Sequence, residues 1–176
     1  MLVAASAALG GGRGGRDPSW SEPGIRVSPV LQPCVDMMLQ RSPTFRSLYR
    51  AIDRRTDLRV AIALEDRPAS DHAGRRAETT IRRSGPLREA NVVLFDVDHP
   101  VELIAHELEH VREQAEGVNL SLLATSHWPG VFRLLDGAFE TRRAQETGLE
   151  VAGQVGGYGR LCLSMSYVHL AARPHP

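Results

Sequence analysis

Two histidines and a glutamate stand out for what their spacing permits. His106-Glu107-Leu108-Glu109-His110 has the pattern H-E-x-x-H. Residues four apart on a helix are stacked neighbours, so the two imidazoles can reach one Zn²⁺ ion. Glu107 lies on the adjacent strip of the same helix, where its carboxylate can accept a proton from an attacking water. His106 and His110 are therefore candidate metal ligands and Glu107 the candidate general base. A chance motif would more often fall on a charged face, and here it does not. Placed on a helix, Val101, Ile104, Leu108, Val111 and Ala115 form a core face, and Glu102, Glu109, Glu113 and Glu116 a solvent face. His106, His110 and Glu107 occupy a third strip with Leu103 and Gln114.

The elements that must position this motif can be read outward from it. Asp98-His99-Pro100 opens the helix and Gly117 is its expected C-cap. Upstream, Leu58–Leu64 (LRVAIAL), Glu78–Arg83 (ETTIRR) and Asn91–Val97 (NVVLFDV) read as strands, separated by turns at Gly74 and Gly85-Pro86. Phe45, Leu48, Tyr49 and Ile52 mark one face of an earlier helix, with Ser42 as N-cap, Pro43 as first residue and an end near Arg54. A short apolar patch over 28–40 predicts one or two helical turns before it. Downstream, Val131, Leu134, Leu135 and Ala138 predict a helix closed by Gly148, and Leu161–Leu170 reads as a last helix or strand. The order of helix, three strands, helix and helix defines an α+β domain. Residues 1–28 are rich in Gly, Pro and Ser and predict a disordered or loosely attached arm, leaving 29–176 as one domain.

A strand, a loop and then HELEH on a helix resemble the zincin metallopeptidases, in which the active-site helix follows the edge strand lining the cleft. The resemblance covers roughly residues 58–148, and its specific part is the five-residue motif. It implies a short mixed or antiparallel sheet, zinc as cofactor, a peptide or protein substrate and a third ligand. In the metzincin branch the motif continues with Gly and His three and six residues after the second His; Glu113 and Glu116 stand there instead. In the gluzincin branch the third ligand is a Glu on the next helix. Glu140, 30 residues after His110 and expected in mid-helix, fits that pattern, so the chain resembles a compact gluzincin. The Asp that thermolysin-like enzymes place four residues after their Glu is replaced by Ala144. Asp136 and His127 stay open as third ligands, and Asp136 also as the partner of a ligating His. The bland reading of Glu140 is a salt bridge to Arg142 or Arg143. Tyr158, Tyr167, His127 and His169 could each supply an oxyanion donor, and none stands in a motif. His72, His99 and His175 read as surface residues.

Composition sets the outer limits. The chain has 176 residues, 42% of them hydrophobic and 24% charged, enough for one core. Net charge is zero, which argues against a nucleic-acid binder driven by bulk electrostatics. All 21 cations are Arg; residues 1–88 carry an excess of them, and residues 89–150 hold 12 acids against 4 Arg. Negative charge around the histidines favours a bound cation. No run of 18 apolar residues exists, so a transmembrane helix is excluded. Leu2–Leu9 is a poor signal peptide with no basic residue before it, so a cytoplasmic location is favoured and an exported one is the alternative. Cys34 and Cys162 lie far apart and read as two buried thiols, a single disulfide being the alternative. So small a domain has little material for deep subsites, which predicts a shallow cleft or an accessory partner. Two other readings stand beside the zinc hydrolase: a zincin-like binding or regulatory scaffold, and a structural domain with a chance motif.

Overall fold

The computed structural model describes residues 4–6, 23–65, 75–96, 98–125, 130–134, 137–156 and 162. Seven strands and five helices are formed by these residues: β1 (Ala4–Ser6), β2 (Gly24–Val27), α1 (Gln32–Arg41), α2 (Pro43–Asp53), β3 (Leu58–Leu64), β4 (Ala77–Ser84), β5 (Leu87–Leu94), α3 (Pro100–Ala115), α4 (Leu120–Thr125), β6 (Val131–Arg133), β7 (Phe139–Thr141) and α5 (Arg142–Val155). The class is α+β. The strands make one mixed sheet in the order β2-β3-β5-β4-β1-β7-β6. β3 runs parallel to both β2 and β5, and β4 runs antiparallel to β5.

Several elements follow from local chemistry. Ser42 caps α2 by accepting a hydrogen bond from Phe45 N at 2.9 Å, with Pro43 in the first turn. Helix α2 buries Phe45, Leu48 and Ile52, three of the four residues of its predicted face. The β4–β5 hairpin turns at Gly85-Pro86, where Ser84 pairs with Leu87 and Gly85 takes φ +61°. A two-residue hairpin loop of this kind needs a left-handed residue at its first position, which glycine adopts without steric cost. Alternation along β3 and β5 points Leu58, Val60, Ile62, Ala90, Val92 and Leu94 to the buried face of the sheet. That face is covered by helices, and α3 lies directly on β4 and β5. Helix α5 packs in turn across α3. The crossing is close at Gly148, where a Cβ would lie 3.0 Å from the Glu102 carbonyl oxygen and 3.2 Å from His106 Cβ.

Four expectations are corrected. Asn91–Val97 was expected as the cleft-lining edge strand; β5 instead spans 87–94 and lies inside the sheet, because its hairpin partner β4 flanks one side and β3 the other. Residue 97 lies outside the described residues. The loosely attached arm over 1–28 is interrupted, since Gly24–Val27 pairs with β3 and the backbone of Ala4–Ser6 pairs with β4 and β7. The helix expected over 131–148 is a hairpin, β6–β7, followed by a helix that begins only at Arg142 and runs through Gly148 to Val155. Gly137, at φ +84°, turns that hairpin. Finally, Cys34 and Cys162 are joined by a disulfide rather than being two thiols, both of them buried.

Candidate metal centre

Helix α3 runs from Pro100 to Ala115, and its third strip faces neither bulk solvent nor the aliphatic core. His106, Glu107 and His110 are all buried, as is Glu140. Glu140 is the second residue of β7 and sits one position before Thr141, the N-cap of α5. The sequence-predicted trio therefore meets, although its third member comes from a strand end rather than from mid-helix. The side-chain tips converge: His106 Nε2 lies 3.1 Å from His110 Nε2, and Glu140 Oε1 lies 3.3 Å and 3.5 Å from those two nitrogens. Bonds of about 2.0–2.1 Å at tetrahedral angles would set ligand atoms about 3.3–3.4 Å apart. The three donors thus stand at nearly the separations that a tetrahedral ion imposes, and they form a group able to hold a metal.

The surroundings fix two of the three donors. His110 Nδ1 is 3.1 Å from Glu113 Oε2, and the Thr141 hydroxyl donates to the same oxygen at 3.1 Å. That hydroxyl also accepts from Ala144 N at 3.0 Å, so the cap of α5 is tied to the ring orientation of His110. A carboxylate on the far nitrogen of a ligating imidazole fixes its tautomer and raises its basicity. Glu140 is held by the backbone N–H of Thr141, which donates to Oε1 at 2.7 Å. Its position at the start of α5 also places it at the positive end of the helix dipole. Arg143, a partner considered for Glu140, pairs with Glu109 and Glu116 instead.

Electrostatics follow from the burial of so many carboxylates around two imidazoles. Burial opposes the charged form of His110, yet hydrogen bonds to Glu113 and Glu140 raise its pKa to about 10. Burial would raise Glu140, but hydrogen bonds from His106 and His110 hold it down at about 2. Buried groups of this kind are tolerated when a cation lies among them, whether proton or metal. Glu107 is pushed above the ordinary carboxyl range by burial, against the pull of His106, His110 and Thr79. Its Oε2 accepts from Thr79 Oγ1 at 2.6 Å, and its buried Oε1 has no hydrogen-bond partner among the described residues.

The solvent face expected for Glu102, Glu109, Glu113 and Glu116 holds only in part. Glu109 and Glu113 are buried because α5 lies over them, and Glu109 forms ion pairs with Arg112 and Arg143. Among the described residues, Glu113 is the carboxylate beside His110 Nδ1. Asp136 and His127 lie outside the described residues, as do Tyr158, Tyr167, His169, His72 and His175. His99 is half-buried at the start of α3. Thr79 carried no sequence signal; a threonine in an exposed-looking strand is unremarkable until the strand is seen to lie against α3. Comparison with known proteins finds no matching family model, no matching curated protein and no matching solved structure.

Proposed function

We propose that the protein is a zinc-dependent hydrolase, most simply a small metallopeptidase of zincin type. The observation that carries this reading is the convergence of two imidazole nitrogens and one carboxylate oxygen within 3.1–3.5 Å, beside a buried carboxylate with one oxygen unpartnered among the described residues. Two nitrogens and one oxygen in a buried tetrahedral arrangement suit Zn²⁺, and three protein ligands leave a fourth position open, as catalytic zinc sites do. His106, His110 and Glu140 would hold the ion. Zinc there would supply Lewis acidity for a carbonyl and lower the pKa of a water. Glu107 takes a proton from the attacking water and passes it to the leaving amine. Glu113 holds the His110 ring in one orientation throughout.

The test has two parts. Purified protein should carry about one equivalent of zinc, and His106→Ala should lose it. Glu107→Gln should keep the metal and lose on the order of 10²- to 10⁴-fold in kcat against a cleaved peptide. A wild type that holds zinc tightly and cleaves nothing in a broad peptide library is a binding or regulatory scaffold. One that holds no metal has a motif of purely structural origin.

A further inference from the structure

Glu107 is fully buried, and its two oxygens are treated differently by the fold. Oε2 receives the Thr79 hydroxyl at 2.6 Å, and Oε1 receives no hydrogen bond from the described residues. Thr79 is the third residue of β4 and is itself completely buried. Its hydroxyl has one proton to give, and the short contact to Oε2 takes it; the Glu107 carbonyl oxygen, at 3.3 Å, is the weaker second acceptor. Hydrogen bonds to a carboxylate are roughly twice as strong as neutral ones, so this is the contact that sets the direction of the side chain.

We infer that Thr79 is a positioning residue: it pins Oε2 of Glu107 and so leaves Oε1 as the atom that accepts the proton. This rests on the metal-hydrolase reading of the same site. The tether also has a second consequence. Glu107 interacts electrostatically with His106, His110 and Glu140, so a carboxylate set loose among them is drawn to a metal ion held there and joins its ligand set as a fifth donor. Thr79 keeps the base near the ion and out of its ligand set. Valine is nearly isosteric with threonine and a good strand former, so Thr79→Val removes the hydroxyl and little else. Thr79→Ser keeps the hydroxyl.

The experiment loads wild type, Thr79→Val and Thr79→Ser with Co²⁺ in place of zinc and records the visible d–d absorption, which is intense for four-coordinate cobalt and weakens as ligands are added. Wild type and Thr79→Ser should give the same spectrum. In Thr79→Val the bands should fall severalfold, and adding Glu107→Gln to that variant should restore them, since a neutral carboxamide is a poor ligand. Thr79→Ala is predicted to behave as Thr79→Val and replaces it should the valine variant not fold. Cobalt bound alike in all variants with an unchanged Thr79→Val spectrum overturns the inference and leaves the metal reading intact. A wild type that takes up no cobalt overturns both.

Discussion

A single methyl group at Gly148 tests whether the close crossing of α3 and α5 shapes the metal centre. In an open helix position, Gly→Ala stabilises by about 0.5–1 kcal/mol, because alanine has less backbone freedom to lose. Gly153 is such a position: it lies in the same helix and a Cβ there meets nothing within 4 Å. At Gly148 the same Cβ would meet the Glu102 carbonyl at 3.0 Å and His106 Cβ at 3.2 Å, both on α3. Neither is the free end of a side chain, so α5 must move. Overpacking of this kind costs about 1–3 kcal/mol, which reverses the sign of the substitution or cancels it. The two variants should therefore differ by about 1–3 kcal/mol, on the order of 5 °C in Tm for a chain of this size. Since α5 carries Thr141 at its start and presses on His106, zinc affinity should drop in Gly148→Ala and hold in Gly153→Ala. Thermal unfolding and competition against a chromophoric chelator measure both quantities. Equal stabilisation by the two substitutions, with equal zinc affinity, would refute the claim that the crossing is tight.

Further predictions concern the partners of the ligands. Glu113→Ala removes the acceptor shared by His110 and Thr141 and should weaken zinc binding by about 10- to 100-fold in chelator competition. In metal-free protein, His110 has a folded pKa near 10 against about 6.5 unfolded, so its contribution is complete below about pH 6.5 and is lost as pH rises toward 10. Glu140, held near 2, contributes stability above about pH 4.5 that is lost on acidification. Metal-free Tm should accordingly fall on both sides of a window near pH 4.5–6.5, while zinc-loaded Tm should keep rising into neutral pH as protons cease to compete. A flat metal-free profile from pH 6 to 9 would contradict the buried ion cluster. Reducing Cys34–Cys162 opens a cross-link over 128 positions, worth up to about 5 kcal/mol by chain-entropy reasoning, and should lower the denaturant midpoint without stripping zinc.

The parts of the fold legible in the sequence were those governed by local rules. The Ser42-Pro43 start of α2, strand β3 and the Pro100 start of α3 each rest on capping, alternation or proline geometry within a few residues. The H-E-x-x-H spacing is likewise a property of one helix. The distance of Glu140 from the motif points to it as third ligand, while the local sequence suggests a helix where a strand stands. Val131, Leu134, Leu135 and Ala138 happen to match a helical period, and that pattern outweighed the Asp136-Gly137 turn signal between two strands of only three residues. Glu109 and Glu113 looked solvent-facing because charge is the only clue a helix wheel offers. What buries them is α5, whose Thr147 reaches Glu109 from 38 positions away. Thr79 was hidden, and the choice between two thiols and a disulfide left open, for the same reason: each is a relation between segments that only tertiary packing brings together.

The staple between Cys34 and Cys162 also bears on where such a centre could operate. The chain has two cysteines, and the bond consumes both. Disulfides persist where the surroundings are oxidising. Metal sites built on thiolates are at risk there, because an oxidant attacks the ligands themselves. The donors gathered here are imidazole and carboxylate, which such oxidants leave alone. The conditions that close the staple therefore spare the ligands, and no thiol of the chain remains to trap a metal in the wrong place or to be lost to oxygen.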